Sequence, residues 1–223
     1  MDFASLINAI LLFAIPVLLG VTLHEAGHAW AADRLGDDTA RNLGRVTLNP
    51  LPHIDPLGTI LLPLLLVFSG APFIFGWAKP VPVMFSRLLK PRRDIILVAA
   101  AGPAANILIA TICGVLLNFF PDGSWMARML TIGIFVNLLL AFFNLLPIPP
   151  LDGGRIAVGL LPAELARPLA SLERYGFLIL IGLVFLLPVI GQSIGIDLSF
   201  VSNWIRWTIS STMPFFTGLG SLF

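Results

Sequence analysis

The sequence predicts an all-α polytopic membrane protein, a helical bundle with re-entrant and short extended segments around an intramembrane metal site. Three observations carry this expectation. The 223 residues are 57% hydrophobic and only 11% charged, against about 25% charged residues in soluble domains, and the mean hydropathy is +0.96. Several apolar runs are long enough to cross a bilayer, while others of similar polarity are interrupted by proline and glycine. A His-Glu-x-x-His string, His24 to His28, lies inside the first of those runs.

Residues 5–33 read as the first membrane helix. Its start, Met-Asp, lacks the basic region and the Ala-x-Ala site of a cleaved signal, so it is expected to be retained. Gly20, Gly27, Ala31 and Ala32 are small and admit close neighbours, and Gly36-Asp37-Asp38 ends the helix. His24 lies about nine residues before that end, placing a metal ~14 Å below the surface at a rise of 1.5 Å per residue.

Residues 37–57 are polar and proline-rich, with Arg45–Leu48 expected as a short strand and Asn49-Pro50 and Asp55-Pro56 as turns. Residues 58–75 are apolar but broken by Pro63, Gly70 and Pro72, the pattern of a re-entrant segment. Residues 76–83 hold two prolines and are expected to be extended. Residues 84–94 carry Arg87, Lys90, Arg92 and Arg93, a cytoplasmic anchor under the positive-inside rule.

Residues 95–119 are a second clear span, with Gly102-Pro103-Ala104-Ala105-Asn106 inside it, and 126–146 are a third, joined by a loop at 120–125. The third runs into Pro147, Pro149 and Pro150, which stop a helix, and then into Asp152-Gly153-Gly154. Residues 162–175 read as interfacial and 176–190 as a short apolar segment. In 197–223, Arg206 sits mid-run beside Trp204 and Trp207, so this tail is expected along the interface. The single cysteine, Cys113, reads as a small core residue. A net charge of +1 gives no reason to expect nucleic acid.

Four-residue spacing on a helix puts His24 and His28 on one face, able to grip one metal ion, with Glu25 beside them as a base rather than a ligand. Ionisable groups at this depth are costly unless paired, metal-bound or facing a wet cavity, and the nearest cation in sequence is Arg34. Two histidines leave a zinc site short of a third protein ligand. Asp152 is the leading candidate, its alternative being an ordinary helix cap. Asn106 either bonds between helices or binds a peptide carbonyl, and His53 is either structural or in touch with substrate. For Asp152 to meet the histidines, the end of helix 126–146 must face the same side as the end of helix 5–33. That holds only if 58–75 makes no net crossing, and the basic groups on both sides of that segment ask for the same topology.

Together, His24–His28, the string from Asn49 to Thr59, Gly102–Asn106 and Asn144–Arg155 resemble the site-2 protease family of intramembrane zinc metalloproteases. The resemblance covers about residues 15–160, and 76–83 resembles its small prokaryotic branch. It implies a core of three helices, one Zn2+ per chain held by His24, His28 and Asp152, and Glu25 as catalytic base. It also places Asn106, Asn49 and His53 at positions associated with substrate or the oxyanion. The expected activity is hydrolysis of peptide bonds within or near transmembrane segments. The expected organisation is a single domain over 1–223, with a core at 5–160 and membrane or interfacial segments at 161–223, without the PDZ or CBS domains many members carry. The implied setting is a prokaryotic cell membrane, multi-pass, with the active site toward the cytoplasm. Partners are a transmembrane substrate and lipid, and a homo-oligomer is left open. The alternative is a catalytically silent zinc-binding scaffold for partner helices, against which the intact Glu25 speaks.

Overall fold

Runs of helix-forming apolar residues become long helices wherever proline does not stop them. In the computed structural model, which describes residues 3–69 and 76–219, these are α1 (Phe3–Arg34), α4 (Pro91–Leu117) and α5 (Trp125–Asn144). Between α1 and α4 lie α2 (Thr39–Asn42) and α3 (Leu62–Phe68). After α5 come α6 (Asp152–Leu160), α7 (Ala163–Ser171), α8 (Gly176–Ile181), α9 (Leu187–Ile194) and α10 (Phe200–Thr217). Among the described residues, four segments are long and apolar enough to cross a membrane: Ile10–Arg34, Pro91–Leu117, Trp125–Asn144 and Ala163–Ile194. The chain is thus an all-α, multi-pass membrane protein.

The ends of the helices follow local chemistry. Pro91 occupies the first turn of α4, where its missing N–H costs nothing, and Asp94 reaches back to accept from Lys90 N at 2.6 Å. Ser124 caps α5, its hydroxyl oxygen accepting from Ala127 N at 3.1 Å. The Pro147–Pro150 stretch then prevents α5 from continuing.

The return of the chain between α1 and α4 decides the topology. Trp77 N donates to Gly58 O at 3.2 Å and Thr59 Oγ1 to Trp77 O at 2.8 Å, so the two ends of the 58–77 excursion meet. Leu89 N donates to Leu35 O at 3.0 Å, which brings the start of α4 beside the end of α1. The segment leaves and comes back without a net crossing, as its interrupted sequence predicts; residues 70–75 of it lie outside the described residues.

Helices α1, α4 and α5 pack antiparallel in sequence. Lipid is as apolar as leucine, so such packing relies on close fit. A Cβ at Gly27 would come 2.8 Å from Ala101 O, and Ala29 and Ala32 are fully buried. Ile134 and Leu138 of α5 pack with Ala110 of α4 and Phe216 of α10.

One expectation needs correction. No strand occurs among the described residues, Arg45–Leu48 included. Its neighbour, the extended segment 76–83, is reached by a side chain and not by a backbone ladder: Arg45 Nη2 donates to Lys79 O at 2.7 Å. Val201, Thr208 and Phe216 form a buried stripe at helical spacing that packs α10 against α5 and α4, with Arg206 exposed on the other side. Residues 162–175 and 176–190 join in one nearly continuous helical run, Ala163–Ile194.

Candidate metal centre

One face of α1 carries His24 and His28, both buried, and their rings meet edge to face with centroids 4.6 Å apart. Each ring is held from behind. His24 Nδ1 donates to Asn106 Oδ1 of α4 at 2.7 Å, and His28 Nδ1 donates to Val98 O of α4 at 2.7 Å. With each Nδ1 turned to an acceptor, both Nε2 atoms face inward.

The α5–α6 connection brings the third group. Asp152 is the first residue of α6 and is buried. The chain turns there because Gly153 and Gly154 lie against the backbone of Leu145 and Pro149, where any side chain would collide. Asp152 Oδ2 lies 3.2 Å from His24 Nε2 and 3.3 Å from His28 Nε2, and the two Nε2 atoms are 3.1 Å apart. Asp152 Oδ2 is buried and accepts no hydrogen bond. It therefore does not serve as a helix cap.

Three electron-pair donors converging without a proton donor call for a cation. Ligands about 2.0–2.1 Å from a tetrahedral zinc sit roughly 3.3 Å from one another, which the observed separations approach. Two imidazoles and a carboxylate are also a zinc donor set that leaves a fourth position free. His24, His28 and Asp152 are the one group among the described residues whose ligand atoms could hold a metal together.

The floor of this site is Gly102. A Cβ there would collide with His28 Nε2 and approach His24 Cε1 to 2.7 Å. Gly102→Ala is therefore expected to lower bound zinc by at least about tenfold, on the scale of a disturbed outer shell, while leaving a folded α4. Elemental analysis of the purified variant checks this.

Glu25 is half-buried, one residue from the first histidine. Its Oε2 accepts from Val81 N at 2.7 Å. The extended segment 76–83 thus fixes the carboxylate. That segment is itself pinned by Arg45 on Lys79 O and by Lys79 N donating to His53 O at 3.0 Å.

Of the remaining candidates, Asn106 touches the site and His53 and Asn49 lie in the loop after α2. Asn106 is fully buried behind His24, its amide nitrogen donating to Gly20 O at 3.0 Å and to Asn137 Oδ1 at 2.9 Å. His53 is buried, with Nε2 donating to Thr47 O at 3.1 Å and Nδ1 facing Arg45 Nη2 at 3.5 Å. Burial pushes its imidazole below the ordinary histidine value, and the Arg45 charge acts in the same direction, against the bond to Thr47. Asn49 is exposed and its Oδ1 accepts from Leu51 N at 3.1 Å, turning the loop. The 51–53 turn packs against α1, and the Glu25 carboxylate acts on the His53 imidazole. Sequence reading missed Val81 N–H, Val98 O and Asn137. The first two are backbone groups and leave no trace in residue identity. Asn137 had a signal, as a polar side chain in the middle of an apolar span.

Known proteins resemble this chain over most of its length. Residues 122–189 match the family described as Peptidase family M50. The "Putative zinc metalloprotease YwhC" of Bacillus subtilis is 39% identical over 186 residues, covering 78% of this chain and 80% of the relative. The "Putative zinc metalloprotease Rip2" of Mycobacterium tuberculosis H37Rv is 32% identical over 194 residues, 83% of this chain and 73% of the relative. The protein of the same name from Mycolicibacterium smegmatis is 34% identical over 169 residues, 75% of this chain and 64% of the relative. No solved structure matches the chain.

Proposed function

The chain belongs to peptidase family M50, the site-2 protease family, and from that membership we propose that it is an intramembrane zinc endopeptidase that hydrolyses peptide bonds within or near transmembrane segments of other membrane proteins. The observation that carries the reading is the convergence of His24 Nε2, His28 Nε2 and Asp152 Oδ2 within 3.3 Å, beside a carboxylate on the same helix.

His24, His28 and Asp152 would hold one zinc ion. When bound, that ion supplies a Lewis acid that polarises a carbonyl and acidifies water toward neutral pH. Glu25 takes the proton from the attacking water and later delivers it to the leaving amine. Val81 N–H holds one oxygen of Glu25. Asn106 is assigned to orienting His24 rather than to the oxyanion, because its amide is spent on His24, Gly20 and Asn137. His53 and Arg45 are assigned to holding segment 76–83. A substrate helix must unwind to be cut, since its carbonyls are otherwise engaged in its own hydrogen bonds, and the extended segment 76–83 offers backbone groups to the unwound strand.

Arg34 and Arg41 at the end of α1, and Arg87, Lys90, Arg92 and Arg93 before and at the start of α4, gather at one end of the bundle. By the positive-inside rule that end faces the cytoplasm.

Incubating purified protein with a labelled library of membrane-spanning peptides, with and without a zinc chelator, tests the reading. Chelator-sensitive cleavage supports it. Zinc binding without cleavage would favour a silent scaffold.

Val81→Pro removes the N–H that Glu25 accepts from, within an already proline-rich extended segment. A hydrogen bond to a charged group is worth about 1.5–3 kcal/mol net. Loss of kcat by roughly tenfold or more is expected, with zinc content unchanged, as read by steady-state cleavage and elemental analysis.

A further inference from the structure

We infer that Asn137 is a positioning residue: through Asn106 it fixes the direction of the hydrogen bond that keeps His24 Nε2 free for metal. The inference rests on the zinc reading of the site and adds a residue outside its motifs.

The direction of this relay is set by two main-chain carbonyls, which can only accept. Asn137 Nδ2 donates to Gly133 O at 2.8 Å, one turn back on α5, so its Oδ1 must face the other way. That oxygen accepts from Asn106 Nδ2 at 2.9 Å, and Asn106 Nδ2 also donates to Gly20 O at 3.0 Å. With both donors so placed, Asn106 presents its oxygen to His24, and an amide oxygen can only accept. His24 Nδ1 must then carry the ring proton, and Nε2 is left with its lone pair. Turning either amide over would set oxygen against oxygen at Gly20 or Gly133.

The path is dry and tightly fitted. Asn106 is 0% and Asn137 1% exposed, so no water replaces a lost partner without cost. A Cβ at Gly20 would come 3.0 Å from Asn137 Oδ1, so the small residue on α1 is what lets the α5 amide come this close. The relay joins α1, α4 and α5, and α5 is the helix whose end leads to Asp152. His28 is held from behind by Val98 O, and the relay from Asn137 reaches it only through His24.

That difference in anchoring provides the test. Full-length protein carrying 15N-labelled histidine is purified in detergent, and zinc affinity is measured by chelator competition. The ring N–H signals of the zinc-loaded form are recorded, and assignment is tractable with three histidines in the chain. N137L keeps the volume and removes both polar atoms. Zinc affinity should fall on the order of tenfold, in line with other outer-shell partners. The His24 ring N–H should move and that of His28 should stay. N137S, which keeps a hydroxyl able to donate to Gly133 O, should show a smaller change of the same kind and decides the matter if N137L does not fold. Unchanged affinity and an unchanged His24 signal overturn the inference, as does equal movement of the His24 and His28 signals, which would mean general loosening. Wild-type protein that binds no zinc would instead defeat the underlying reading of the site.

Discussion

Glu25→Gln is expected to abolish cleavage of a transmembrane substrate while leaving zinc in place. Glutamine keeps a side-chain oxygen that can accept from Val81 N as Glu25 Oε2 does, so the local geometry survives. It cannot take a proton from water at neutral pH. General base catalysis contributes roughly 10²–10⁴-fold, so the variant should fall by that factor in kcat with a zinc content equal to wild type. Gel-resolved cleavage of a model substrate, read beside elemental analysis, separates the two quantities. Full residual activity would remove Glu25 from the chemistry.

Asp152→Ala is expected to remove the metal itself. The carboxylate is the one ligand supplied from outside α1, and without it two imidazoles remain. The loss of zinc affinity should exceed the roughly 10–100-fold typical of an outer-shell change. A metal held by the folded chain and not by the unfolded one stabilises the fold. Zinc should therefore raise the unfolding temperature of wild type, since ligand present at 100 times its Kd stabilises by about 2.7 kcal/mol. The variant should show no such rise. Zinc content and thermal response matching wild type would unseat Asp152 as a ligand.

The parts of this molecule that follow from periodicity were open to reading in the chain. Helix spacing alone puts His24 and His28 on one face, and long apolar runs alone give α1, α4 and α5. The need of a two-histidine site for a third ligand pointed to Asp152 across more than a hundred residues. The re-entrant course of 58–77 could be argued from its prolines, and the meeting of Gly58 with Trp77 agrees with it. Contacts made by backbone groups or by distant pairs were not open in the same way. Arg45–Leu48 has the composition of a strand, but a strand needs a partner ladder, and what reaches 76–83 is the Arg45 guanidinium. The polarity of Asn106 announces that it needs a partner without saying which, and the pairing with His24 and Asn137 depends on how three helices are rotated against one another. His53 has the look of a reactive loop histidine, yet it is buried and spent on Thr47 and Arg45.

The most direct test of the central claim, that His24, His28 and Asp152 hold one zinc ion within the membrane bundle, is an anomalous difference map recorded at the zinc absorption edge from crystals of the full chain. A single peak per chain among His24 Nε2, His28 Nε2 and Asp152 Oδ2, absent in crystals of Asp152→Ala, is the predicted result. A peak at other residues, or none in protein that still cleaves its substrate, would contradict it.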